Sequence, residues 1–330
     1  MSVGVVLASG LWLLGYFGLV MVSKQDKPTW ERNWPHHDHS RFVRAGGLKW
    51  HVQDFGPPGG DSPVKQKILL IHGTGASTHS WRDVVPLLWD DYHVLAMDLP
   101  GHAFSDTPAI SGLSLPGMSK SVSALLETLQ FRPDLVVGHS AGAAVALRMS
   151  LDGLVQPDLI VSLNGALKPF PGMAGQVFPS IAKALFVNPF TPWFFAWSAS
   201  NKQNVERLLH DTGSRLNPEG INLYARLFKS TGHVAGTLGM MANWDLNPLV
   251  SDMPRLSTPL VLVAALKDRT IDPGVATATA RLSSQARVVD VPSLGHLAHE
   301  EAPEVIVRVI LEAWQKARSA GMTPAAADAQ

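Results

Sequence analysis

Cysteine is absent from all 330 residues, which excludes disulfides, thiolate nucleophiles and cysteine-ligated metals. Net charge is absent as well: 27 Lys and Arg balance 27 Asp and Glu, so no global field favours nucleic acid or an acidic partner. No G-x-x-x-x-G-K-[ST] stretch occurs, so the chain lacks that cradle for ATP phosphates. No internal repeat is visible. Charge is also missing from Met1 to Ser23, "MSVGVVLASGLWLLGYFGLVMVS".

About 20 apolar residues span a bilayer as one helix, so residues 1–22 are long enough for an anchor. A secretory signal would open with basic residues, and here the first charges (Lys24, Lys27, Arg32) follow the apolar run. By the positive-inside tendency the body is then expected on the cytoplasmic side of the inner membrane. Initiation at Met21 would instead leave a cytoplasmic protein without the anchor. Residues 24–40, "KQDKPTWERNWPHHDHS", are polar and read as a linker. The spacing of His36, His37, Asp38 and His39 matches no helical or hairpin ligand set, so no metal site is expected there.

With 46% hydrophobic and 16% charged residues, the remainder is an ordinary globular body. Short apolar runs alternate with helical patterns. The runs 48–55, 67–73, 92–98, 134–138, 158–165, 259–266 and 287–292 read as strands. Several are nearly continuous in apolar side chains, as in strands covered on both faces. Residues 114–130, 141–153 and 303–320 have helical periodicity. That alternation predicts an α/β fold with a mostly parallel central sheet flanked by helices. Residues 165–250 break the rhythm. They read helical and rich in proline and aromatics, which predicts a lid inserted between core segments 41–164 and 251–319. Residues 320–330 read as a frayed tail.

The stretch "DLVVGHSAGAAVALRM" (134–149) passes from strand to helix through Gly138-His139-Ser140-Ala141-Gly142. In a G-x-S-x-G turn the serine backbone is strained and its hydroxyl stands at the carboxyl edge of the sheet. A hydroxyl needs a base, and the base needs a group to orient it. Asp268 follows one strand and His296 the next, in the order Ser…Asp…His on the edge where α/β sheets bind ligands. Asp272 is the weaker alternative for the acid. His299, at the start of a helix, is expected on the surface or against the lid. The loop "HGTG" (72–75) offers the backbone N–H of Thr74 beside that of Ala141 for an oxyanion. His72, Asp98 and His102 are expected to be scaffold.

Taken in order, HGTG, DLPGH, GHSAG, KDR and GH followed by EEAP resemble the α/β-hydrolase superfamily across residues 40–319. Its cap follows the sixth strand of that fold. Members that are dehalogenases or epoxide hydrolases attack through aspartate, so Ser140 points away from them. "WPHHDHSRFVRAGGLKWHVQ", "SLNGALKPF" and "GHVAGTLGMMANWDL" narrow the likeness to the BchO family. These are proteins of bacteriochlorophyll-producing bacteria described as magnesium-chelatase accessory proteins. The apolar first 22 residues look like an addition to the family pattern. The resemblance implies a Ser140–Asp268–His296 triad, no cofactor, and a place in magnesium-tetrapyrrole synthesis. It also implies an apolar small-molecule substrate, with a tetrapyrrole as the candidate, and the chelatase as a candidate partner. The lid supplies Phe170, Phe178, Phe186, Phe190, Trp193, Phe194, Phe195 and Trp197 for an apolar pocket. Substrate contact is expected from Gly73, His139, Trp193, Trp197, Met240 and Met241. A non-catalytic porphyrin-binding or chelatase-docking role on the same scaffold is the alternative.

Overall fold

Successive side chains of a strand face opposite sides of the sheet, and here both sides are dry. In β3 (Lys67–Ile71), Leu69 and Ile71 enter one apolar layer and Ile68 and Leu70 the other, all fully buried. This is why the strands read as unbroken apolar runs. The computed structural model describes residues 33–56, 65–169, 181, 183–188 and 190–321. The apolar N-terminal stretch and residues 322–330 lie outside them, as do Phe170 and Phe178.

Eight strands form one sheet in the order β1-β2-β4-β3-β5-β6-β7-β8. Besides β3 these are β1 (Ser40–Ala45), β2 (Leu48–Phe55), β4 (His93–Met97), β5 (Leu135–His139), β6 (Leu159–Leu163), β7 (Leu260–Ala265) and β8 (Ala286–Val291). β1 and β2 are antiparallel, as are β2 and β4, and every other pair is parallel. One face is covered by α1 (Leu115–Leu129) and α2 (Ala141–Leu151), through Met118, Val122, Val145 and Met149. The other is covered by the segment around Trp81 and Leu88 and by the helix Pro303–Gly321, through Ile306, Ile310 and Trp314.

Strand β1 has no counterpart among the strands read from sequence. It is an edge strand whose outer positions stay wet, so Arg41 and Arg44 mask its alternation. It joins β2 through Gly46 and Gly47, both with positive φ (57° and 79°), the geometry of a tight hairpin turn.

The segment 24–40 also differs from expectation where it is described. Trp34 is 2% exposed, and its indole N–H donates to Thr78 Oγ1 at 3.1 Å. Its ring stands edge-on to Phe104 at 5.2 Å. A ring nitrogen of His36 lies 2.8 Å from the Arg82 carbonyl oxygen. The end of this stretch is thus docked on the body rather than solvated, because its one large aromatic finds a slot that local polarity does not reveal. Trp34→Ala is expected to cost about 3 kcal/mol or more, read from the midpoint of urea unfolding.

Between β6 and β7 lie α3 (Thr191–Ser198), α4 (Lys202–Asp211), α5 (Pro218–Phe228) and α6 (Thr231–Ala242), with α7 (Asn247–Asp252) leading back to the sheet. Three of them open on side-chain caps: Asn201 accepts from the Gln203 N–H, Asn217 from Gly220 and Ser230 from His233. Val205 and Leu209 of α4 and Ile221, Tyr224 and Ala225 of α5 pack on Ala76 and Leu297. The lid therefore rests on the loop after β3 and on the loop that carries His296.

Candidate active site

All parallel strands point the same way, so the loops after β3, β5, β7 and β8 meet at one edge. Ser140 sits where β5 becomes α2 with φ 51° and ψ −117°, a strained backbone for a residue with a side chain. Its N–H is fixed to the Leu163 carbonyl at 3.0 Å, and its own carbonyl accepts from Ala143 and Ala166. The flanking glycines are required by contact distance. A Cβ on Gly138 would lie 2.5 Å from the Gly142 carbonyl oxygen, and one on Gly142 would lie 2.3 Å from that of Ile71.

The structure brings His296 and Asp268 together: His296 Nδ1 is 2.7 Å from Asp268 Oδ2, both residues nearly buried. The other carboxylate oxygen accepts from the Thr270 and Ile271 N–H groups at 2.7 and 2.9 Å, which fixes the acid. Asp272, the alternative from sequence, instead accepts from the Gly274 N–H at the start of the next helix. Among the described residues, no hydrogen bond joins Ser140 Oγ to His296, so the third contact that a Ser–His–Asp arrangement would need is open. Such contacts are commonly long without substrate and close when it binds.

Two residues hold the His296 loop from behind. Asn164 Nδ2 donates to the carbonyls of Gly295 and His296, both at 2.9 Å, while its Oδ1 accepts from Ala265 N–H. His139 Nε2 donates to the same His296 carbonyl at 2.9 Å. Asn164 was not legible as a site residue. Its only local signal is an Asn–Gly pair at a strand end, realised as a positive φ of 48°. His139, expected to touch substrate, faces inward between His296 and His299. Burial, then the neighbouring His299 and His296, hold its pKa well below the usual range, so it is neutral.

Among the described residues, the N–H groups of Thr74 and Ala141 donate no hydrogen bond, leaving both donors available at this edge. Gly73 lies against Ser140, since a Cβ there would meet the serine Cβ at 3.0 Å. Thr74 Oγ1 is 3.8 Å from Met240 Sδ. Met240 is buried in the core, and Met241 is half-buried. Trp193 and Trp197, expected to line a pocket, are instead 60% and 73% exposed. Helix α3 is apolar all round, and among the described residues it packs on α6 while Trp193, Phe194 and Trp197 face outward. No group of three His, Asp or Glu residues that could hold a metal occurs among the described residues.

His72 and Asp98 form the scaffold beneath. The Leu99 N–H donates to His72 Nε2 at 2.9 Å, so the ring proton sits on Nδ1 and donates to the Gly73 carbonyl. Burial would raise the Asp98 pKa, but His51 at 2.7 Å holds it down at about 2. His299 corrects the surface expectation. It is fully buried, with its ring against Trp81 and His139. Helix position alone does not reveal that stack. Behind it, Glu300 is salt-bridged to Arg82 at 2.5 Å and accepts the Tyr224 hydroxyl of α5 at 2.8 Å.

These buried imidazoles predict acid lability. Burial drives the pKa of His299 down to about 3 and that of His233 to about 4, from 6.5. Both are neutral when folded and protonate below 6.5 when unfolded, so the unfolded chain binds more protons as pH falls. Their contribution is complete above pH 6.5 and is lost towards 4, at about 1.4 kcal/mol per pH unit for each. Glu300, pushed up to about 6 by burial, opposes this between 4.5 and 6. Urea midpoints are expected to fall steeply between pH 6.5 and 4, and His299→Phe should flatten that slope.

The alpha/beta hydrolase family matches residues 68–309. The magnesium-chelatase 30 kDa subunit of Rhodobacter capsulatus is 38% identical over 280 residues, covering 85% of this chain and 96% of that protein. An alpha/beta hydrolase fold protein from Burkholderia ambifaria superposes with a TM-score of 0.68 at 22% identity, covering 83% of this chain and 98% of the other. An esterase from Exiguobacterium antarcticum superposes at 0.67 with 16% identity, covering 83% and 98%. At those identities the structural likeness speaks for the fold.

Proposed function

Because the chain belongs to the alpha/beta hydrolase family, we propose that Ser140 is an acyl-transfer nucleophile acting on an ester or similar bond of an apolar substrate. The observation that carries this reading is the 2.7 Å His296–Asp268 pair, with the second carboxylate oxygen pinned by two backbone N–H groups. Asp268 orients the ring so that Nε2 is the free base. As Ser140 Oγ attacks the carbonyl carbon, Nε2 takes the hydroxyl proton and the carbonyl oxygen becomes an oxyanion. The N–H groups of Thr74 and Ala141, the latter at the positive end of α2, receive that charge. The protonated imidazole then gives its proton to the leaving group, and water hydrolyses the acyl-serine by the same relay.

The relative from Rhodobacter capsulatus supports placing this activity in magnesium-tetrapyrrole synthesis, in association with the chelatase. Residues 1–22 would hold the body at the cytoplasmic face of the inner membrane. Among the described residues no helix is long and apolar enough to cross a membrane, and the apolar stretch itself lies outside them. The open contact between Ser140 and His296 favours a second reading, in which the scaffold binds a porphyrin or docks on the chelatase without catalysis.

Complementation separates the two. In cells lacking the native gene, Ser140→Ala is expected to leave pigment unmade although the protein accumulates to the wild-type level. Normal pigment with that variant would reject the catalytic role and leave the binding role standing.

A further inference from the structure

The lid carries an outward aromatic face that the proposed chemistry does not use. Trp193, Phe194 and Trp197 of α3 are about three-fifths or more exposed, and Val187 just before the helix is 69% exposed. Trp193 and Trp197, four residues apart, share one side of the helix. Phe194 adjoins Trp197 with ring centroids 6.1 Å apart. Buried Thr191 and Ala199 mark the ends of the side that packs inward.

Charge along this stretch of the chain has one sign. From Leu159 to Val205 the chain contains no Asp or Glu, and its only cations are Lys168, Lys183 and Lys202. Among the described residues none of these lysines is in an ion pair. Exposed tryptophans in a stretch of chain that carries lysines and no carboxylates fit a bilayer interface. Indoles settle at headgroup depth there, and ammonium groups meet anionic phosphates. A second copy of the chain fits less well. An eight-residue helix about 12 Å long and about 10 Å across offers a face on the order of 10² Å², short of the roughly 800 Å² per partner that a stable dimer buries.

We propose that the α3 face is a membrane-docking surface that seats the lid on an anionic lipid bilayer through Trp193, Phe194 and Trp197. It stands apart from the triad reading and does not depend on residues 1–22 forming an anchor.

The test uses the intact chain and vesicles of phosphatidylglycerol with brominated phosphatidylcholine, whose bromines quench only tryptophans that enter the bilayer. Wild type is compared with Trp193→Phe/Trp197→Phe, which keeps the apolar face but removes its reporters. Trp12 and every other tryptophan are common to both, so the difference isolates the lid. The double variant is expected to lose about half of the vesicle-induced quenching. Trp193→Ser/Trp197→Ser should weaken vesicle binding about tenfold while circular dichroism stays unchanged, and neutral vesicles should bind wild type several-fold more weakly. Equal quenching in wild type and the Phe variant overturns the proposal. So does a dimer that the Ser variant dissociates while vesicle binding is unaffected, which assigns the face to a second copy. Lid tryptophans already shielded without vesicles, and unquenched with them, assign it to another segment of this chain.

Discussion

Ser140→Ala should abolish labelling by a fluorophosphonate probe and lower acyl hydrolysis by on the order of 10³-fold or more. The probe needs a serine oxygen made nucleophilic by its base, and on the proposed reading that oxygen is Ser140 Oγ, carried on a strained turn at the same sheet edge as the His296–Asp268 pair. Alanine removes one oxygen from a site already held by its backbone: the Ser140 N–H on Leu163, and its carbonyl on Ala143 and Ala166. The thermal midpoint should therefore stay near that of wild type, so that loss of labelling reports chemistry rather than unfolding. Asp268→Asn is the informative companion. It preserves shape but disturbs the proton arrangement on His296, and a loss of about 10⁴-fold is expected from the tautomer it imposes. Wild-type protein that resists the probe at neutral pH would count against the nucleophile.

Gly142→Ala should destabilise the protein by about 3 kcal/mol or more, the reverse of what helix propensity predicts. In an ordinary helix, alanine gains about 1 kcal/mol over glycine. Here the added methyl would meet two backbone carbonyl oxygens, Ile71 at 2.3 Å and His72 at 2.6 Å. Neither belongs to a side chain that can swing aside, so β3 and α2 must separate, and overpacking of this kind is costly. Moving β3 also moves the loop that carries Gly73 and Thr74, so probe labelling should fall together with stability. The measurement is the urea midpoint of the purified variant beside wild type. A variant as stable as wild type would show that strand and helix are not in contact at this point.

What could be read in advance follows from where the information resides. Strands β3 to β7 are dry on both faces, so composition alone announces them. The turn at Ser140 is announced by its glycines, which short-range geometry demands. Asp268 and His296 follow their strands closely, and parallel topology carries both to one edge. Features made by distant partners were not legible. Strand β1 owes its pairing to β2, and its arginines Arg41 and Arg44 fall on opposite faces, which hides the alternation. Trp34 is buried by Thr78 and Phe104, His299 by Trp81 and His139, and nothing local foretells either. Asn164 acts through a loop 131 and 132 residues away in sequence. The aromatics of α3 mislead in the opposite sense: hydrophobicity suggests an interior, yet the lid offers too little cover for all of them.

The bond between Tyr224 and Glu300 couples the inserted helix α5 to the segment that bears His296. Tyr224 belongs to the lid helix α5, and Glu300 follows His296 by only four residues. Any outward swing of α5 must break a phenol–carboxylate bond in a dry setting or drag the segment that bears the imidazole. On the proposed catalytic reading, displacing α5 would therefore also disturb the placement of the His296 imidazole.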